Sequence, residues 1–160
     1  MNFRPLHLGF ALLLTTLLSA CYKDPVSEPM PEYTRLLTSG RWHVVADQLM
    51  ETQPDGNHTI TDNFVQYQEC QQDDYWMFLD ADQFAVNRGI MKCQTTEAEL
   101  ETGKWYFSDD RHRLLVTNPY IAPGLVPYEI LKLTDTELKL QSDYAINGRS
   151  YSHLILLEAL

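Results

Sequence analysis

YEILKLTDTELKLQSDYAINGRSYSHLILLE, residues 128–158, reads as three strands and two turns. Residues 128–133, 137–141 and 151–158 are short runs rich in β-formers, and Thr134-Asp135-Thr136 and Ala145-Ile146-Asn147-Gly148 supply turn chemistry between them. Sequential strands joined by short turns pair antiparallel, and a meander of this kind favours an up-and-down barrel. Towards the N-terminus similar runs recur roughly every eight to twelve residues, and long helical periodicity is absent.

Five earlier strands complete a predicted set of eight. The first is residues 42–49, closed by the turn cluster Gln53-Pro54-Asp55-Gly56-Asn57. Residues 59–73 read as an irregular polar stretch with a helical turn. Residues 75–79 and 84–88 form a hairpin around Asp80-Ala81-Asp82-Gln83, whose aspartates can bond their own backbone. An acidic connection at 95–101 leads to strands at 103–108 and 113–117, with Leu114 and Val116 on one face. Pro119, Pro123, Gly124 and Pro127 argue against a central strand at 118–127 and predict a long, rigid loop, a candidate lid.

Residues 1–20 carry one positive charge at Arg4, an apolar stretch at 6–18 and small residues before Cys21, the order of an export signal. The apolar stretch includes His7, Thr15 and Thr16 and falls short of the twenty or so residues that span a bilayer. Leu18-Ser19-Ala20-Cys21 resembles the bacterial lipobox, so Cys21 is the expected lipidation site and first residue of the mature protein. An ordinary signal cleaved near Ala20 is the plainer alternative, but it leaves the next residues unexplained. Those residues carry Pro25, Pro29 and Pro31 among Lys23, Asp24, Ser27 and Glu28, the composition of a tether. Three acyl chains, palmitate among them, would hold such a protein on a membrane permanently, where one chain gives marginal binding. The expected domains are a signal at 1–20, a lipidated tether at 21–35 and one barrel domain at 36–160.

Loss of Arg4 from the twelve basic residues leaves eleven against twenty-two acidic ones, so the charge moves from −10 to −11. That balance argues against nucleic acid and against electrostatic docking on anionic lipid. With Cys21 acylated in an oxidising compartment, Cys70 and Cys93 remain as a pair, and Cys70–Cys93 is the expected disulfide. Neither thiol has a second cysteine or a histidine at metal-ligand spacing.

Gly40-Arg41-Trp42 at the start of the first strand looks like the Gly-x-Trp signature of lipocalins. Cys70, Asp73-Asp74, Phe78, Gly89, Cys93 and Gly103-Lys104-Trp105 follow in a succession that resembles the lipocalin-like domain lipoproteins of Bacteroidetes-type bacteria, over about Leu36 to Leu160. The resemblance implies an eight-stranded antiparallel barrel, closed at the end marked by Gly40 and Trp42 and open at the other, where a small apolar ligand is taken. It also implies a late arginine packed over Trp42, and Arg149 stands in the comparable place. Trp76, Phe78, Phe84, Trp105, Phe107 and Tyr128 are the candidate pocket residues, although eight strands can also enclose a filled interior in which such rings are simply core.

Signals for catalysis are thin. His43, His58, His112 and His153 are scattered singly, with no His-x-His or His-Glu-x-x-His spacing, and a lone strand histidine is more often hydrogen-bonded structure. No Gly-x-Ser-x-Gly elbow occurs. Asp73-Asp74, Asp80 with Asp82, and Asp109-Asp110 sit at predicted strand ends, where aspartate serves turns, and no Asp-x-Asp-x-Asp-Gly calcium loop is present. The expectation is therefore a non-enzymatic chain with no cofactor and no metal. Residues 75–79 and 151–157 are apolar on both faces, which calls for cover from the same chain or from a partner.

Two functions follow. The first is a membrane-anchored lipocalin-like barrel that binds a small apolar ligand; the second is a packed, non-catalytic accessory or interaction subunit of an envelope complex. Tyr22 after the cysteine, in place of aspartate, resembles the sorting pattern of outer-membrane lipoproteins, and Lys23-Asp24 is similar to surface-export signals. The expected location is the cell envelope, at the outer membrane.

Overall fold

The computed structural model describes residues 32–109, 111–118 and 122–160, with the backbone alone at 122 and 123. The expected signal, the lipidation site Cys21 and tether residues 22–31 lie outside the described residues. In chain order the elements are helix α1 (Glu32–Thr38), β1 (Arg41–Thr52), β2 (His58–Asp62), a 3-10 turn at Phe64–Gln66, helix α2 (Glu69–Gln72), β3 (Tyr75–Leu79), β4 (Gln83–Asn87), β5 (Leu100–Phe107), β6 (Arg113–Asn118), β7 (Ala122–Leu133), β8 (Glu137–Ile146) and β9 (Arg149–Ala159). All pairings are antiparallel, and β1 closes on β9 from Trp42 opposite Ala159 to Thr52 opposite Ser150. β1 and β3 to β9 thereby make a closed eight-stranded up-and-down barrel, the expected architecture.

A ninth strand, β2, lies within the stretch read as irregular. It runs back along the far half of β1, Gln48 to Thr52, while β3 takes the near half, Arg41 to His43. All five β2 side chains are exposed, so no alternation marked the strand. Helix α1 begins in the stretch whose composition reads as tether. Its seven residues bury only Leu37, but the Trp42 indole N–H donates to the Leu37 carbonyl at 2.8 Å and fixes the helix across one end of the barrel.

Residues opposite one another on neighbouring strands point to the same face. Trp42, Phe78, Trp105, Leu114, Leu138 and Leu157 are all buried and belong to one core cluster with Leu37 of α1. A chain of rings rises from there: Tyr33, Phe107, Trp105, Phe78, Phe84, Trp76 and Tyr128, each against the next at 5.1 to 6.5 Å between centroids. Edge-to-face contacts of this kind add about 0.5–1.5 kcal/mol beyond burial. Gly103 allows the filling to close, because a Cβ there would stand 1.7 Å from the Thr117 carbonyl oxygen.

The predicted loop at 118–127 is a correction: β7 begins at Ala122 and runs through Pro123, Gly124 and Pro127. The Ile130 N–H donates towards β6, to the His112 carbonyl, so by alternation the Pro127 nitrogen faces β8. The β7–β8 ladder ends at Glu129 opposite Gln141, before Pro127 would need a donor. Beyond that point β7 pairs only with β6 and β8 only with β9. The proline lies on a free edge, as its chemistry requires, and the barrel wall is parted there. Pairing also carries β5 back to Leu100, into the predicted acidic connection, and extends β8 and β9 to a two-residue turn, Asn147-Gly148, with positive φ at both positions.

On the outer face of β9, Leu154 and Leu156 are half-buried, standing opposite Gln48, Gln141, Ala46 and Lys139 of the flanking strands. On β3, the Arg41 guanidinium lies over the Tyr75 ring at 5.3 Å. Leu79, at the end of β3, stays exposed.

Cys70 of α2 is bonded to Cys93, with 5.2 Å between Cα atoms. The crosslink ties the segment beside β1 to the loop after β4. Closing a loop of 23 residues stabilises a small domain by about 3 kcal/mol in the chain-entropy model. Paired Cys70→Ser and Cys93→Ser substitution is expected to lower unfolding free energy in urea by about that amount; a loss below about 1 kcal/mol would show that the native state gains little from the bond.

Candidate ligand-binding site

Away from α1 the barrel interior turns polar: Asp47, Asp74, Arg88, Asn118 and Ser142 are all buried. Strict alternation from Trp42 and Val44 would turn Asp47 outward. A bulge between Val44 and Ala46 reverses the parity and sets Asp47 opposite Ile155 on the inner face. There its Oδ1 accepts from His153 Nε2 at 2.7 Å and from Asn63 Nδ2 at 2.9 Å, and its Oδ2 accepts from the Tyr67 hydroxyl at 2.7 Å. Burial pushes the Asp47 carboxyl up, but the bonds from His153, Tyr67 and Asn63 outweigh it and hold the group below its ordinary 3.8.

A carboxyl lowered by folding contributes stability that is complete above its unfolded value and is lost as pH falls through the folded one. Asp47→Asn is expected to cost about 2 kcal/mol at pH 7, the scale of hydrogen bonds to a charged group. The gap in melting temperature between native protein and variant should narrow below about pH 4. A gap independent of pH would place the stabilisation elsewhere.

On the other side, Arg88 reaches Asp74 at 3.1 Å and Glu97 at 3.2 Å. Glu97 also accepts the N–H groups of Cys93 and Gln94, and Asp73 accepts those of Ile90 and Met91. The loop carrying Cys93 is thus anchored by carboxylates as well as by the disulfide.

Two cavities flank this polar layer. One, of about 270 Å³, lies between β1 and α2 and is bordered by Val44, Asp47, Tyr67, Asp74, Trp76 and Ile155. The other, of about 390 Å³, lies where β7 and β8 part and is bordered by Val126, Tyr128, Ser142 and Tyr144. His153 borders both. Burial, with the charge of Asp47 adding to it, pushes the Tyr128 phenol well above its ordinary value of 10.0, so it stays protonated.

Of the sequence-predicted pocket residues, Trp76 borders one cavity and Tyr128 the other. Phe78, Phe84, Trp105 and Phe107 belong to the ring chain below. Gly40 and Trp42 lie at the α1 end. Arg149 is a correction: it sits at the far end of β9, paired with Glu51 at 2.6 Å and exposed, and Leu37 covers Trp42 instead. Asp47 and Ser142 gave no signal in the sequence, and His153 stood there only as a lone strand histidine.

Ser142 lies directly opposite His153, which is bonded to Asp47, an order reminiscent of a nucleophile, base and orienting acid. Among the described residues no hydrogen bond joins Ser142 to His153. Among the described residues no group of three His, Cys, Asp or Glu side chains is placed to hold a metal ion.

No family model matches the chain, and no curated protein matches it. Solved structures similar to it include a lipocalin-like protein from Bacteroides uniformis, 11% identical, covering 78% of this chain and 99% of that one with a TM-score of 0.41. Bovine odorant-binding protein in complex with a selenium-containing odorant is 17% identical, covering 83% of this chain and 76% of that one, also at 0.41. Its deswapped triple mutant is 17% identical, covering 76% and 72%, again at 0.41.

Proposed function

We propose that this chain is a membrane-anchored, non-catalytic binding protein whose lipocalin-like barrel holds one small molecule in its polar half. The observation that carries the reading is the division of the interior. Rings fill the half beneath α1, whereas the other half keeps cavities of about 270 and 390 Å³ that are both bordered by His153. Sites for small ligands have this character, with apolar walls and a few placed polar groups. Of the candidate pocket residues, Trp76 and Tyr128 border these cavities, whose walls combine apolar and polar groups. Anchoring rests on the sequence alone, on Leu18-Ser19-Ala20-Cys21 and the proline-bearing residues after it, with the outer membrane as the proposed location.

Native mass spectrometry of the full-length protein purified from its own host, followed by organic extraction, tests the binding. A stoichiometric small-molecule adduct is expected, and a bare mass in every preparation would overturn the reading in favour of a packed interaction module. Cys21→Ser is expected to abolish incorporation of labelled palmitate; unchanged labelling would remove Cys21 as the anchor.

A further inference from the structure

We infer that the ligand seats an uncharged hydrogen-bonding group, an amide, carbonyl or hydroxyl, against Tyr128 and Ser142 in the gap between β7 and β8, and that carboxylates are refused. This rests on the binding reading above and names its ligand class. Tyr128 is 1% exposed and Ser142 4%, and both border the 390 Å³ cavity. Neither hydroxyl is hydrogen-bonded to another described residue, and neither oxygen is among the fully buried unpaired atoms, so both stay open to the cavity. Two hydroxyls bordering one cavity from neighbouring strands are what a ligand oxygen needs.

Charge sets the class. Asp47 is a carboxylate whose field reaches Tyr128. Arg88, the one buried basic side chain among the described residues, is held by Asp74 and Glu97. An anionic headgroup beside Tyr128 would share its cavity with Asp143 and lie in the field of Asp47, and the His153 ring on the same wall is already bonded to Asp47; a charge buried without a partner is strongly disfavoured. The phenol remains a proton donor at any working pH, which suits an acceptor oxygen. Val126 and Leu125, with the ring of Pro127, offer the ligand's apolar part a wall, and the parted strands give it a way in.

Isothermal titration of the full-length protein in phospholipid nanodiscs, with empty discs as blank, can compare hexanamide, hexan-1-ol and hexanoate at pH 8. Hexanamide and hexan-1-ol are expected to bind and hexanoate to bind at least about tenfold more weakly, the factor that one hydrogen bond is worth. Tyr128→Phe and Ser142→Ala should each weaken hexanamide about tenfold, with far-UV circular dichroism unchanged. Hexanoate binding as tightly as hexanamide, or Tyr128→Phe binding the amide normally, would overturn the inference and leave the binding reading standing. If none of the three binds and native mass spectrometry finds a bare protein, the binding reading falls and this inference with it.

Discussion

Trp42→Ala is expected to lower unfolding free energy by about 3–5 kcal/mol, the range for removing a buried aromatic from a packed core. Trp42 is 0% exposed and does two jobs at once. Its ring fills the barrel end beneath Leu37, and its N–H satisfies a carbonyl at the end of α1. Helix carbonyls at that end have no partner within the helix, so the indole stands in for the missing donor. Trp42→Phe separates the roles: it keeps most of the ring and loses the bond, and is expected to cost about 1–2 kcal/mol from the bond, with the smaller ring adding to that. Urea denaturation of both variants measures this. Equal losses would mean that the hydrogen bond, and not the ring, holds the end closed.

The strands that could be read from sequence are those whose burial depends on their own alternation. Leu114 with Val116, and Leu138 with Leu140, point inward wherever the neighbouring strands lie, and each was found on the inner face. β7 could not be read, because whether Pro127 is tolerated depends on whether β8 pairs beside it, and that is a property of two strands. α1 could not be read because seven residues burying one leucine leave no periodic trace. Arg149 was misassigned for a related reason. Position late in the chain says nothing about which end of the barrel a residue occupies until the β9 register is known, and that register puts Ala159 beside Trp42.

The site was less legible than the fold, and one residue explains much of this. Asp47 stands five positions after Trp42, on the outward parity of its strand, and enters the barrel only because the chain bulges before Ala46. His153 was visible as a lone histidine and acquires its meaning from Asp47. Tyr128 was singled out as an aromatic, which is correct for its ring but silent about its hydroxyl. Aromatic content therefore pointed to the interior as a whole, while the bulge and the parted strands decide which part of it stays open and polar.

Arg88→Met is expected to cost about 3–5 kcal/mol, more than any surface substitution should, because it breaks a buried ion pair from one side. Arg88 is 3% exposed and joins Asp74, before β3, to Glu97, in the loop after β4. Removing the guanidinium takes the cation away from a buried carboxylate and releases the Glu97 contact that helps hold the disulfide loop. Asp74→Leu combined with Arg88→Met removes both charges and fills the space, and replacing a buried pair with apolar groups is often close to neutral. The double variant is thus expected within about 1–2 kcal/mol of the native protein, well above the single one. Urea unfolding of the native protein, both single variants and the double one closes the cycle. If the double loss equals the sum of the single losses, Arg88 and Asp74 are not coupled. A strong coupling, together with hexanamide binding that survives in the double variant, would show that this pair supports the wall of the polar half without lending its charge to the ligand. That is the arrangement in which an amide can be accepted and a carboxylate refused.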